Sequence, residues 1–247
     1  MANDDISHLL KHWAFEPGGI NARILHVEGV SSKLQIRLEL GLLQLEVEGR
    51  PDGKTPLGAN TLLEHHQRRL TKDPEGNAPR LTNQECRELR EEAVQFHHRY
   101  VALFALGEFS AVVRDTSHNL MIFDLCLKRG SNEQDRSMLE VYRPGVITVR
   151  ARAAAELCMQ AGSPKDAMSA INAGLQELEE TFEQQGNAEA FDQSNEVQLL
   201  LGMRDLLTPK LPASQRIELE DRLQSALAAE NYELAAILRD ELRQMKS

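Results

Sequence analysis

Aromatic residues are scarce in this 247-residue chain, where one Trp, three Tyr and seven Phe amount to 4%, so a core must come from aliphatic side chains. Cysteine is scarcer still. Cys86, Cys126 and Cys158 are odd in number, widely separated and without C-x-x-C pairing. That excludes a disulfide framework and a cysteine zinc knuckle and points to a reducing compartment. No run approaches ~18 consecutive apolar residues, and the start, Met1-Ala2-Asn3-Asp4-Asp5, lacks the basic and apolar regions of a secretion signal. The chain therefore reads as cytoplasmic, with no membrane segment. Basic residues are in deficit: 28 Lys and Arg against 38 Asp and Glu give a net charge of −10. Affinity for nucleic acid comes mainly from cations that displace counterions from phosphate, so this balance disfavours direct binding to DNA or RNA.

Complete catalytic motifs are missing as well. There is no G-x-S-x-G, no H-E-x-x-H, and no cysteine with a neighbouring histidine in sequence. The run from Gly49 to Thr55, with Lys54 before the threonine, falls one residue short of a phosphate loop. Glu48 stands where the first glycine belongs, Pro51 removes an amide that would face phosphate, and Pro56 opposes a helix starting at the lysine. Leu120 to Asp124 has the hydrophobic-then-aspartate form of the second ATPase motif, but lies inside a helical stripe where Leu120 and Phe123 have a packing role. His65-His66 and His97-His98, with Glu64 and Glu92 nearby, could suggest a metal. Adjacent residues on a helix project about 100° apart, however, so neither pair can chelate as an i, i+4 pair does, and they read as surface or hydrogen-bonded histidines. The expectation is a protein without enzymatic activity and without a cofactor or metal.

What is present is mainly helical. In residues 1–80 a small α+β region is expected: Leu34, Ile36, Leu38 and Leu40 alternate with Gln35, Arg37 and Glu39 at strand period. Ile24 to Val27 can pair with that run as a hairpin, and Leu42 to Val47 can extend it past a bend at Gly41. Arg50-Pro51-Asp52-Gly53 is turn chemistry, and Lys72 to Arg80 is a polar linker. Residues 81–208 read as a helical scaffold. Leu89, Ala93, Phe96, Tyr100 and Leu103 recur every three or four positions up to Gly107. A second helix carries Phe109, Val112, Val113, Thr116, Leu120 and Phe123. Pro144 starts another running to Ala161, and Gly162-Ser163-Pro164 separates it from one bearing Ala167, Ile171, Leu175 and Leu178. A short helix around Glu196 to Leu207 follows. The joints at Gly107 and Gly162 resemble those of tetratricopeptide repeats, although their spacing of fifty-five residues exceeds one repeat of about thirty-four. The resemblance implies an irregular antiparallel stack, whose concave face could bind a peptide; a plain helical bundle is the alternative.

The last segment, residues 212–247, reads as an amphipathic helical hairpin. Leu219, Leu223, Ala226 and Leu227 make one stripe before Glu230-Asn231, where Asn231 can cap a second helix and Glu233 suits its first turn. In that helix Tyr232, Ala235, Ala236 and Arg239 lie along one side, while Leu234, Ile237, Leu238, Leu242 and Met245 spread the apolar surface beyond a single stripe. One hairpin partner cannot cover so much, and each Leu left in water forgoes about 1.5–3 kcal/mol.

Leu223, Ala226, Tyr232, Glu233, Ala235, Ala236, Leu238, Arg239 and Asp240 stand where the UVR motif of UvrB, UvrC and Clp-type chaperones and adaptors has its characteristic residues, and the segment resembles that motif. Residues 40–53 resemble the N-terminal part of uncharacterised bacterial proteins that end in the same motif. The resemblance implies helix-to-helix association, including homodimers, with Leu223, Leu227, Tyr232, Ala235, Ala236, Leu238, Arg239, Asp240 and Leu242 as the partner-binding residues. Fold and function then read together. The chain is expected to be mainly α, with a small N-terminal β-sheet, a central antiparallel tetratricopeptide-like stack and a C-terminal UVR hairpin that docks a protein partner or a second copy. An accessory role in nucleotide excision repair and an adaptor role at a Clp-type protease are the alternatives; the missing helicase and nuclease motifs weigh against the first, the missing cysteine-rich zinc module against the second.

Overall fold

The computed structural model describes residues 5–26, 29, 31–72, 79–208, 213–228 and 231–244. The chain divides into two compact units, Met1–Arg150 and Ala151–Ser247. The first opens with α1 (Ser7–His12) and strands β1 (Asn21–Leu25), β2 (Lys33–Leu38) and β3 (Gly41–Glu46). Helices α2 (Leu62–Thr71), α3 (Asn83–Ala105), α4 (Phe109–Arg129) and α5 (Glu133–Ser137) follow, then the start of α6 (Arg143–Gln160).

The strands form an antiparallel sheet in the order β1-β2-β3, with Leu25 opposite Lys33 and Leu38 opposite Gly41. The hairpin expected between Ile24 and the alternating run is there. The extension past Gly41 is not: only Glu39 and Leu40 separate the paired Leu38 and Gly41, so β3 doubles back on β2 and Leu40 sits at the turn, 90% exposed. Alternation places Leu34 fully inside and Gln35 and Arg37 on the opposite face, yet those two are buried as well. Each has found partners. Gln35 accepts from Arg23 Nη2 at 2.8 Å and donates to Gln44 at 2.9 Å, and Arg37 Nε donates to the Trp13 carbonyl at 2.9 Å. Polar side chains so satisfied can be covered at little cost.

Helix α3 begins with a capping box, in which Thr82 Oγ1 accepts from the Glu85 amide while Glu85 accepts from the Thr82 amide. It ends where Gly107 takes φ +77°, a conformation that costs a side chain dearly. The Gly107 and Glu108 amides then return to the Phe104 and Leu103 carbonyls, at 3.1 and 3.0 Å, closing a Schellman turn. Between these ends Leu89, Ala93, Phe96, Tyr100 and Leu103 are buried against α4, which contributes Val112, Thr116, Leu120 and Phe123. A charged staple crosses the same interface. Arg99, 1% exposed, grips Asp115 through two bonds of 2.6 and 2.8 Å, and its Nη1 donates to the Glu46 and Gly49 carbonyls at 3.0 and 2.8 Å. Arg114 reaches the Val47 carbonyl at 2.9 Å. The end of β3 is thereby fastened to α3 and α4. The sheet and this helix pair lie within one compact unit.

The second unit takes the remainder of α6, then α7 (Pro164–Gln184), α8 (Asn195–Leu207), α9 (Ala213–Ala228) and α10 (Tyr232–Gln244). Gly162 and Gly186 close α6 and α7 with the same pair of return bonds as Gly107. Ala167, Ile171, Leu175 and Leu178 form the buried stripe of α7. There α6 and α7 touch so closely that a Cβ on Gly174 would stand 2.4 Å from that of Ala151.

Candidate partner-binding site in the C-terminal hairpin

Helix α9 spends its apolar positions at i, i+4 and i+7, namely Leu219, Leu223 and Ala226, and α10 spends its own at i, i+3 and i+7, namely Ala235, Leu238 and Leu242. Such spacings put each set on one helical face. Ala226, Ala235 and Leu238 are buried together, with Leu219 and Leu223 packed against them. The alanines keep the facing side chains short and Leu238, 2% exposed, fills the seam. The turn is fixed locally. The Asn231 amide donates to the Ala226 carbonyl at 2.9 Å, and the Asn231 side chain accepts from the Leu234 amide at 3.1 Å, the N-cap role expected of it. Glu230 and Met245 lie outside the described residues, as do the side chains of Ile217 and Glu233.

The nine residues singled out in the sequence divide between two places. Ala235, Leu238 and Leu242 are buried, Leu223 and Ala236 half-buried. Leu227 and Tyr232 are exposed, 44% and 68%. Arg239 and Asp240 are also exposed and approach one another, Nε to Oδ1 3.7 Å. Two further residues join the exposed set: Leu234 at 38% and Ile237 at 55%. Their signal was the apolar surplus of the second helix, which no single stripe accounts for. The hairpin thus closes a thin seam from its own side chains and leaves Leu227, Tyr232, Leu234 and Ile237 at its surface. A seam of five small or medium side chains offsets little of the conformational entropy of some thirty residues, at about 1–2 kcal/mol of backbone entropy each. A second surface would stabilise it.

Other sequence candidates have structural employment. The phosphate-loop lookalike is a turn whose neighbouring carbonyls are held by Arg99 and Arg114, while the Lys54 amide donates to Asp52 at 3.0 Å. Glu92, wholly buried, accepts from the Leu62 and Leu63 amides at the start of α2 and from His118, at 2.8, 3.2 and 3.1 Å. Burial alone would raise its carboxyl, but those bonds outweigh it and hold the group below the ordinary glutamate range. His97 Nδ1 pairs with the Tyr100 hydroxyl at 2.7 Å, and His66 is buried on α2. Among the described residues no three metal-ligating side chains gather.

Comparison with curated proteins and with solved structures gives no match. Against protein families, residues 214–247, which hold the hairpin of α9 and α10, match UVR, the UvrB/uvrC motif.

Proposed function

We propose that this chain is a non-enzymatic interaction protein that uses the apolar side chains exposed on its C-terminal hairpin to bind a protein partner or a second copy of itself. The observation that carries the reading is the division within the hairpin: a seam closed by Ala226, Ala235 and Leu238, and four large apolar side chains left at the surface. Leu227, Tyr232, Leu234 and Ile237 are the contact residues, with Arg239 and Asp240 at their edge; this set keeps Leu227 and Tyr232 from the sequence and assigns Ala235, Leu238 and Leu242 to shaping the hairpin. Association through UVR motifs in other proteins supports the same reading. An accessory role in excision repair or an adaptor role at a Clp-type protease would use this surface too, and the identity of the captured partner separates them. A cytoplasmic place is part of this proposal, supported by three free cysteines; no described helix is long and apolar enough to cross a membrane.

Removal of residues 213–247 tests it. The shortened chain is expected to keep the helical signal and cooperative melting of the rest while losing self-association by light scattering, or losing its partner in a pull-down. An unchanged solution mass together with an unchanged set of captured proteins would overturn the proposal.

A further inference from the structure

The burial of β2 fades along its length on the face that looks toward α3. Leu34 is fully buried, Ile36 half-buried and Leu38 44% exposed. Beside that fading end a cleft of about 470 Å3 lies between Ile36, Leu38 and Leu43 on one wall and His97, Val101 and Ala102 on the other. Phe15 and Ile20, from the segment before β1, close one side. Apolar walls held apart in water forgo the close packing that proteins otherwise achieve, and this volume falls in the range of small-molecule sites.

The polar groups along the cleft narrow the ligand. Arg37 is committed to the carbonyls of Trp13, Leu38, Glu39 and Gly41. Asn21 is committed to Glu16 and Gly19 through three bonds. Among the described residues no carboxylate lines it. That leaves His97 and the adjacent His98. Tyr100, 3% exposed and pushed up to about 12 by burial, keeps its hydroxyl proton, and the only partner found for it among the described residues is His97 Nδ1 at 2.7 Å, so a satisfied buried hydroxyl requires Tyr100 as donor and His97 Nδ1 as acceptor. Burial, with His98 beside it, lowers the affinity of His97 for a second proton, so the ring is neutral with its hydrogen on Nε2, where no described residue accepts it. The α3 wall runs from His97 to Ala102, five rises of about 1.5 Å or about 7.5 Å in all, which would accommodate little more than two residues of extended peptide.

We propose that this cleft binds a small, neutral, mostly hydrocarbon molecule with one hydrogen-bond acceptor, which takes the Nε2 hydrogen of His97. The site is independent of the hairpin. The test is titration of the full chain with prodan, a neutral naphthalene dye bearing a single ketone, whose emission shifts to the blue in apolar surroundings. Saturable one-to-one uptake is expected. Leu38→Glu, at a position exposed enough to leave folding intact, places a carboxylate on the wall and should weaken uptake by at least about tenfold, since a charge would have to be desolvated. His97→Phe keeps the shape, removes the donor and should weaken it by about two- to tenfold. Leu234→Ser with Ile237→Ser, on the hairpin, should leave uptake unchanged. Absence of saturable uptake, indifference to both cleft variants, or loss in the hairpin variant instead would each overturn the proposal; if Leu38→Glu loses its circular dichroism signal, His97→Phe decides alone.

Discussion

Ile237→Ser separates the shape of the hairpin from its use. Full burial of an isoleucine side chain is worth about 1.5–3 kcal/mol, and Ile237 has 55% of its surface still in water. Covering that remainder stabilises an association by roughly 0.8–1.6 kcal/mol per copy. A contact with a different protein loses one such contribution, weakening about 4- to 15-fold, whereas a symmetric contact between two copies loses it twice, about 15- to 250-fold. The magnitude therefore reports which kind of partner is bound. The folded hairpin should be indifferent, because the side chain is not in the seam. Leu238→Ala gives the contrast: at 2% exposure its truncation costs about 2–5 kcal/mol, enough to melt the hairpin. Sedimentation equilibrium or titration of a captured partner reads the first effect, and hydrogen exchange of α10 reads the second. If Ile237→Ser associates with wild-type affinity while its α10 exchange is also that of wild type, the exposed apolar side chains are not the contact.

Asp115→Ala should cost about 3–5 kcal/mol in chemical denaturation, because it leaves the buried Arg99 guanidinium without its carboxylate; a cost below about 1 kcal/mol would refute the staple. Glu92 has a folded pKa depressed below 4.5, so its contribution to stability is present above the unfolded value and lost as pH falls through the folded one. Stability measured below about pH 4.5 should fall less steeply in Glu92→Gln than in wild type; equal slopes would remove Glu92 from the acid transition. Gly174→Ala should destabilise by about 1–3 kcal/mol despite the better helix propensity of alanine, since its Cβ meets that of Ala151; melting of Gly174→Ala with Ala151→Gly should recover much of the loss, and no recovery would place the strain elsewhere. Native thiol titration should find Cys158, half-buried, reacting first. Burial raises the Cys86 thiol and pushes Cys126 up to about 12, so both should wait for denaturant; rapid modification of all three would contradict that burial.

The stripes of α3, α4 and α7 were legible because a helix writes its buried face into the sequence every three or four residues, and Leu89, Phe96, Leu103, Ile171 and Leu178 are buried as their spacing predicts. The closures at Gly107 and Gly162 and the cap at Asn231 were legible for the same reason: their partners lie within six residues. What depends on distant partners was not. Nothing near Gln35 and Arg37 tells that Arg23 and Trp13 cover them, and nothing near Gly49 tells that Arg99, fifty residues away, holds its carbonyl. In the hairpin the sequence marked too many apolar positions for one stripe, and only the packing against α9 decides that Leu238 is inside, 2% exposed, and Ile237 outside, 55% exposed.

Among the described residues three helices stop by the same device, a left-handed glycine whose neighbouring amides turn back on the carbonyls just passed. Such a stop is assembled from residues already adjacent, so it forms as fast as the coil itself can curl and waits for no distant strand or helix. Lengthening a surface loop elsewhere would leave these terminations untouched, since none of their bonds spans it. The punctuation of the helices is thus local, whereas the arginine staple that captures the sheet joins residues fifty or more positions apart.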